Sequence, residues 1–177
     1  MPTPSIVEGR LLRLQPLTRE HASSEYLSWM RDEAVNQYLE SRFATHTLET
    51  LRAFISAMNS SADNYLFGMF ERSSGRHVGN IKIGSIKDPH RHADLGLVIG
   101  ERSAWGRGYA TEAISRATQY AFEQLDLNKL YAGMYAENMG CFRAFIKSGY
   151  TQIGTMRQHV FCNGRFMDSF LVEKCRR

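Results

Sequence analysis

A chain of 177 residues, 43% hydrophobic and 11% aromatic, is long enough for one sizeable core and short for two. Its 22 basic and 18 acidic side chains leave +4, scattered along the chain, which suits an anionic ligand as readily as a nucleic acid and selects neither. The three cysteines form no C-x-x-C pair, which argues against a disulfide scaffold or a zinc site.

No stretch reaches the roughly 18 apolar residues of a membrane span, and the first twenty residues hold no apolar run. No Pro/Gly/Ser-rich linker divides the chain. The expectation is therefore a single domain over residues 1–177, cytoplasmic and without membrane or metal.

In chain order, Arg10 to Gln15 alternates as a first strand, and Thr18 is placed to cap a helix carrying Tyr26, Leu27, Trp29 and Met30. Thr47 caps a second helix with Leu48, Leu51, Ile55 and Met58 at helical spacing. Asn64 to Glu71 and His77 to Ile86 flank Ser73-Ser74-Gly75 as a hairpin. Ala93, Leu95, Leu97 and Ile99 share one face of the next strand.

From Ala110 the apolar positions Ile114, Ala117, Ala121 and Leu125 read as a helix. Lys129 to Ala136 is strand-like, and Asn138 to Ser148 is a shorter helix with Phe142, Phe145 and Ile146 inward. Asn163-Gly164 joins two final strands in a two-residue turn. This order predicts an α/β fold of the α+β type, with a mixed, mostly antiparallel sheet of about seven strands and flanking helices.

The stretch Trp105-Gly106-Arg107-Gly108-Tyr109-Ala110-Thr111-Glu112-Ala113 lies between a strand and the long helix. Two glycines let the main chain approach a ligand, and the helix start adds free N–H groups and a positive dipole end. Together they suit a diphosphate. A dinucleotide fingerprint would need a third glycine where Thr111 stands, and a P-loop would need Gly-Lys-Ser/Thr, which is absent. A ligand-free turn before a helix is the alternative.

This stretch resembles the diphosphate loop of the GNAT superfamily of N-acetyltransferases. Gly108 and Ala110 match its Gln/Arg-x-x-Gly-x-Gly/Ala pattern, while Trp105 departs from it as in the branch that holds the ribosomal-protein N-terminal acetyltransferases. Asn138-Met139-Gly140-Cys141, followed by Lys147-Ser148-Gly149-Tyr150, resembles the family's second motif. The resemblance implies acetyl-coenzyme A bound by Gly106, Arg107, Gly108, Tyr109, Ala110, Thr111 and Lys147. Main-chain N–H groups of Val98 and Ile99 would serve the thioester, and Asn138 the pantetheine arm.

The family's usual Glu base and Tyr acid fall on Gly133 and Phe145, neither of which moves a proton. Cys141 replaces the branch's Ser and is the candidate proton donor, with a free-thiol pKa of about 8.5. Its other reading is a small buried side chain. Asp94, Glu137 and His159 are candidate bases. Without a strong base the favoured acceptors are low-pKa amines, in amino sugars or peptide N-termini. Trp29, Tyr38, Glu40, Arg42, Asp94 and Tyr135 are candidate acceptor-binding residues; the other reading, which is preferred, puts Trp29 in the core and leaves the charges solvated. A non-catalytic acyl-coenzyme A sensor is the alternative, no nucleic-acid motif is present, and a monomer or homodimer is expected.

Overall fold

The computed structural model describes residues 3–176. One sheet runs in the order β1-β2-β3-β4-β5-β6-β8-β7. Its strands are β1 (Val7–Glu8), β2 (Leu12–Pro16), β3 (Tyr65–Glu71), β4 (His77–Lys87), β5 (His92–Ile99), β6 (Lys129–Tyr135), β7 (Thr151–Cys162) and β8 (Arg165–Cys175). Every neighbouring pair is antiparallel except β5 with β6, as the one β-α-β crossover requires. The strand beyond the expected seven is β1, whose two residues are too few to show an alternation.

The helices are α1 (Ser24–Arg31), α2 (Glu33–Asn36), α3 (Leu48–Ser60), α4 (Tyr109–Glu123) and α5 (Met139–Lys147). They cover both faces of the sheet, and β3 shows how. Tyr65, Phe67 and Met69 pack with Ile114 and Ala117 of α4, while Leu66 and Phe70 pack with Trp29 of α1 and Ile55 of α3. Burying Phe67 completely contributes roughly 2–3 kcal/mol.

Three local expectations change. Thr18 opens a single 3-10 turn over Arg19–His21, bonded to the His21 ring, and Ser23 caps α1 by accepting the Tyr26 N–H at 3.1 Å. Both positions carry a hydroxyl ahead of a turn, so sequence alone cannot rank them. Ile146 is exposed, because α5 turns only Ala144, Phe145 and the partly buried Cys141 and Phe142 toward the sheet. Trp29 belongs to the core: it is 5% exposed, and a Cβ on Gly100 would stand 2.0 Å from its ring. The Asn163-Gly164 turn is as expected, with both residues at positive φ.

Glu112 fixes α4 to the start of the sheet. Its carboxylate accepts the main-chain N–H groups of Arg10, Leu11 and Leu12 at 2.6, 2.7 and 2.8 Å. Glu112→Gln would turn an amide donor toward at least one of these donors. The expected cost is about 2 kcal/mol, a fall in Tm of roughly 4–8 °C for a chain of this size. An unchanged thermal melt would remove this anchoring role.

Candidate active site

The β5 and β6 ladders pair only from His92 with Lys129 to Asp94 with Tyr131, and beyond that the strands part. Gly100 N–H donates to the Val78 carbonyl, so alternation also turns the main-chain groups of Val98 and Gly96 toward β4. Those of Leu97 and Ile99 face the opening instead. The expectation that Val98 offers its amide is therefore corrected: Leu97 takes that place, and Val98 lines the cleft beside it. The Ile99 carbonyl is taken by the Trp105 indole N–H at 2.8 Å.

The loop after β5 closes one side of the opening. Gly106 and Gly108 stand at φ +72° and +84°, a region that side chains rarely adopt. Gly108 is the N-cap of α4 and has no side chain to satisfy the first-turn N–H groups of Tyr109, Ala110 and Thr111. Those groups face outward with the positive end of the helix dipole.

A buried carboxylate, Glu71, holds the loop in place. It accepts from the Tyr109 hydroxyl, from Ser74 Oγ at 2.5 Å, and lies 3.2 Å from the Arg107 guanidinium. The Ser74 and Tyr109 hydrogen bonds, with Arg107 beside them, keep its pKa below the usual carboxylate value. Sequence reasoning missed Glu71. The one available signal was an acid at the end of an otherwise apolar strand.

On the opposite side, Asn138 caps α5, its Oδ1 accepting the Cys141 N–H at 3.2 Å. Its amide nitrogen has no hydrogen bond among the described residues, and Asn138 borders the cavity. Cys141 also borders it. Burial pushes the thiol up to about 12, well above the value expected from the sequence. Phe145 is 1% exposed and packs edge-on to Tyr150, so this ring belongs to the core.

Tyr38 lines the cavity, and behind it lies a second aromatic ring. Tyr38 meets Tyr135 edge-on, with ring centroids 5.8 Å apart. The Tyr135 hydroxyl donates to Glu40 at 2.5 Å and accepts from Arg42 at 2.7 Å, and Arg42 also donates to the Phe161 carbonyl. Burial, and then the Glu40 carboxylate, raise the Tyr135 phenol above its ordinary pKa. Tyr38, Glu40, Arg42 and Tyr135 thus come together.

Trp29 and Asp94 do not join them. Asp94 pairs with Lys82 at 3.6 Å, where β5 and β6 are still joined. Glu137 pairs with Arg165, and His159 lies exposed on β7. The opening is a cavity of about 500 Å³, and among the described residues no carboxylate or histidine lines it.

A thiol held at about 12 forms thiolate only as the pH climbs toward that value, so at pH 8 its ionised fraction is on the order of one in ten thousand. Iodoacetamide at pH 8 should label the exposed Cys175 first and leave Cys141 largely intact by mass spectrometry. Equal labelling rates would contradict the burial argument.

A family model described as an acetyltransferase (GNAT) domain matches residues 11–151. The uncharacterized N-acetyltransferase YoaA of Bacillus subtilis (strain 168) is 26% identical over 171 residues, 93% of each chain. The spermidine N(1)-acetyltransferase of Vibrio cholerae is 30% identical over 91 residues, 51% of this chain and 52% of its own. Among solved structures, the ribosomal L7/L12 α-N-protein acetyltransferase RimL in complex with coenzyme A superposes with a TM-score of 0.84. It is 15% identical and covers 97% of this chain and 98% of its own. The sheet and its flanking helices are those of the GNAT fold. No helix among the described residues is long and apolar enough to cross a membrane.

Proposed function

Because the chain belongs to the acetyltransferase (GNAT) family, we propose that it acts as one domain, moving an acetyl group from acetyl-coenzyme A to a primary amine of low pKa. The observation that carries this reading is the convergence of two sets of free main-chain donors on one cavity. They are the first-turn amides of α4 behind Gly106 and Gly108, and the β5 edge at Leu97 and Ile99.

Acetyl-coenzyme A supplies an activated thioester with a diphosphate at the other end of a flexible arm. The amides from Gly106 to Thr111 suit the diphosphate, with Arg107 and Lys147 beside them. The free amide nitrogen of Asn138 suits the arm. The N–H groups of Leu97 and Ile99 face the thioester carbonyl, where fixed donors stabilise developing negative charge by about 3 kcal/mol each.

The acceptor nitrogen bonds to the acetyl carbon as the carbon–sulfur bond breaks, and the proton released by nitrogen ends on the departing sulfur. Cys141, protonated at neutral pH, can offer that sulfur a hydrogen bond. A thiol so weakly acidic is neither a nucleophile nor a ready source of the proton. Tyr38 and Tyr135, braced by Glu40 and Arg42, form the acceptor wall.

Two relatives narrow the amine by contrast, one named for spermidine and one for a ribosomal-protein α-amine. A polyamine carries several ammonium groups and calls for acids in the cavity. The lining residues offer none, and Arg143 and Lys147 add positive charge. Freeing a lysine-like amine of its proton at pH 7 costs roughly 4–5 kcal/mol, against about 1 for an α-amine. A peptide N-terminus or an amino sugar fits this site better.

Initial rates with peptide α-amines, amino sugars, lysine side chains and spermidine, measured from pH 6 to 9, test the substrate class. The first two should turn over faster at pH 7, and lysine or spermidine should catch up only as the pH rises. Preference for spermidine at neutral pH would overturn it. The cofactor placement has its own test. Gly108→Glu sets a carboxylate where the diphosphate belongs, and acetyl-coenzyme A affinity should fall at least a hundredfold in a variant whose circular dichroism is unchanged. Undiminished affinity would remove the loop from the site.

A further inference from the structure

Five rings meet where β4 begins. The His77 imidazole stacks on Phe70 at 4.8 Å and stands edge-on to Trp29 at 5.0 Å and to Tyr26 at 5.9 Å. A second imidazole, His21, lies 6.3 Å away. None of these residues lines the cavity, yet the cluster reaches the loop that does. Trp29 lies against Gly100. The Val78 carbonyl, next in the chain after His77, accepts the N–H groups of Gly100 and Glu101 at 3.0 and 3.1 Å.

The hydrogen bonds fix where the protons sit. His77 Nε2 lies 3.0 Å from the Gly79 carbonyl and 2.8 Å from Asn80 Oδ1, which only accept, so Nε2 carries hydrogen. A charging proton must therefore enter at Nδ1. His21 Nδ1 accepts the Thr18 main-chain N–H at 2.9 Å, so His21 is neutral. Burial lowers the His77 pKa, against the Asn80 and Gly79 bonds, and His21 lowers it further.

No carboxylate acts on the ring among the described residues. The groups that face it are His21, the Tyr26 phenol of α1 and, from β2, the Arg13 guanidinium 5.9 Å from the Phe70 ring. Beyond the end of β5, Glu101 is paired with Arg76 at 3.6 Å. A charge on His77 would have no counter-ion and an aromatic surrounding.

Resting on the proposed function, we propose that His77 is a positioning residue for the cosubstrate. While uncharged it seats Trp29 against Gly100 and so holds the glycine loop in its binding form, and its protonation unseats the pair and releases the nucleotide. Above pH 6.5 the ring is neutral in both the folded and the unfolded chain, and its packing counts in full. Below that the unfolded chain takes up the proton first, so stability is lost as the pH falls from 6.5 toward the lower folded value.

Dephospho-coenzyme A is the probe, because it lacks the phosphate monoester that itself titrates near pH 6. Calorimetry on the full chain should show its affinity falling about tenfold between pH 7.5 and pH 4.5, with circular dichroism unchanged. His77→Gln keeps a donor for Gly79 and Asn80 but takes no charge, and its affinity should stay level. Coupling is reciprocal, so saturating the native protein with the probe should lower the His77 pKa read by NMR.

A level profile in the native protein would overturn the inference while leaving the acetyltransferase reading intact. So would an equal fall in His77→Gln, a fall seen only as circular dichroism is lost, or a His77 titration indifferent to the probe. The NMR comparison needs no variant, so a misfolded His77→Gln would not protect the idea. Binding of the probe at no pH would overturn the proposed function, and this inference with it.

Discussion

The structure depends on one interruption in a ladder of hydrogen bonds. After three parallel pairs β5 leaves β6, and the donors of Leu97 and Ile99 lose their strand partners. A buried main-chain group without a partner costs about 1–3 kcal/mol, so a sheet does not open for nothing. Each strand keeps its other neighbour, β4 for β5 and β8 for β6, so the opening does not unravel the sheet. The groups left over are rigid because both strands are held from behind, and rigid donors are what a developing oxyanion needs.

Two carboxylates keep the open edge aligned with the helix start, and neither needs to touch a ligand. Glu71 holds Arg107 and Tyr109, on either side of Gly108, and Glu112 ties the first turn of α4 to the turn between β1 and β2. The glycines permit the loop conformation, and the acids select it. Trp29 braces the residues just before, beneath Gly100. An aromatic side chain that the sequence offers to an acceptor is thereby used in positioning the glycine loop.

Much of this was legible from local pattern. Period-two and helical spacings located seven strands and the long helices, and the glycines announced the loop, because each signal lies within a few residues of its cause. The misplacements share a different origin. Whether Thr18 or Ser23 caps α1, whether Ile146 faces in, and whether Trp29 or Asp94 reaches the cleft all depend on contacts between distant segments. The partner of Trp29 is Gly100, and that of Asp94 is Lys82. The parity of β5 was equally hidden, since it is set by a bond from Gly100 to Val78 that no alternation of side chains reveals.

The missing base acquires a physical meaning from the charges around the cavity. A positive environment lowers the pKa of an ammonium that enters it, just as a nearby guanidinium lowers that of a carboxyl group by favouring the less positive state. Arg143 and Lys147 on α5 supply that field with no opposing carboxylate among the lining residues, while Glu40 is occupied by Tyr135. On the proposed function, the field that would hold a polyanionic cosubstrate would also help an amine arrive neutral. An added carboxylate would draw the proton from a more basic amine but would also stabilise its ammonium form and repel the diphosphate. On the proposed function, a site without one trades breadth of acceptor for a firmer hold on the cosubstrate and favours amines already close to deprotonated.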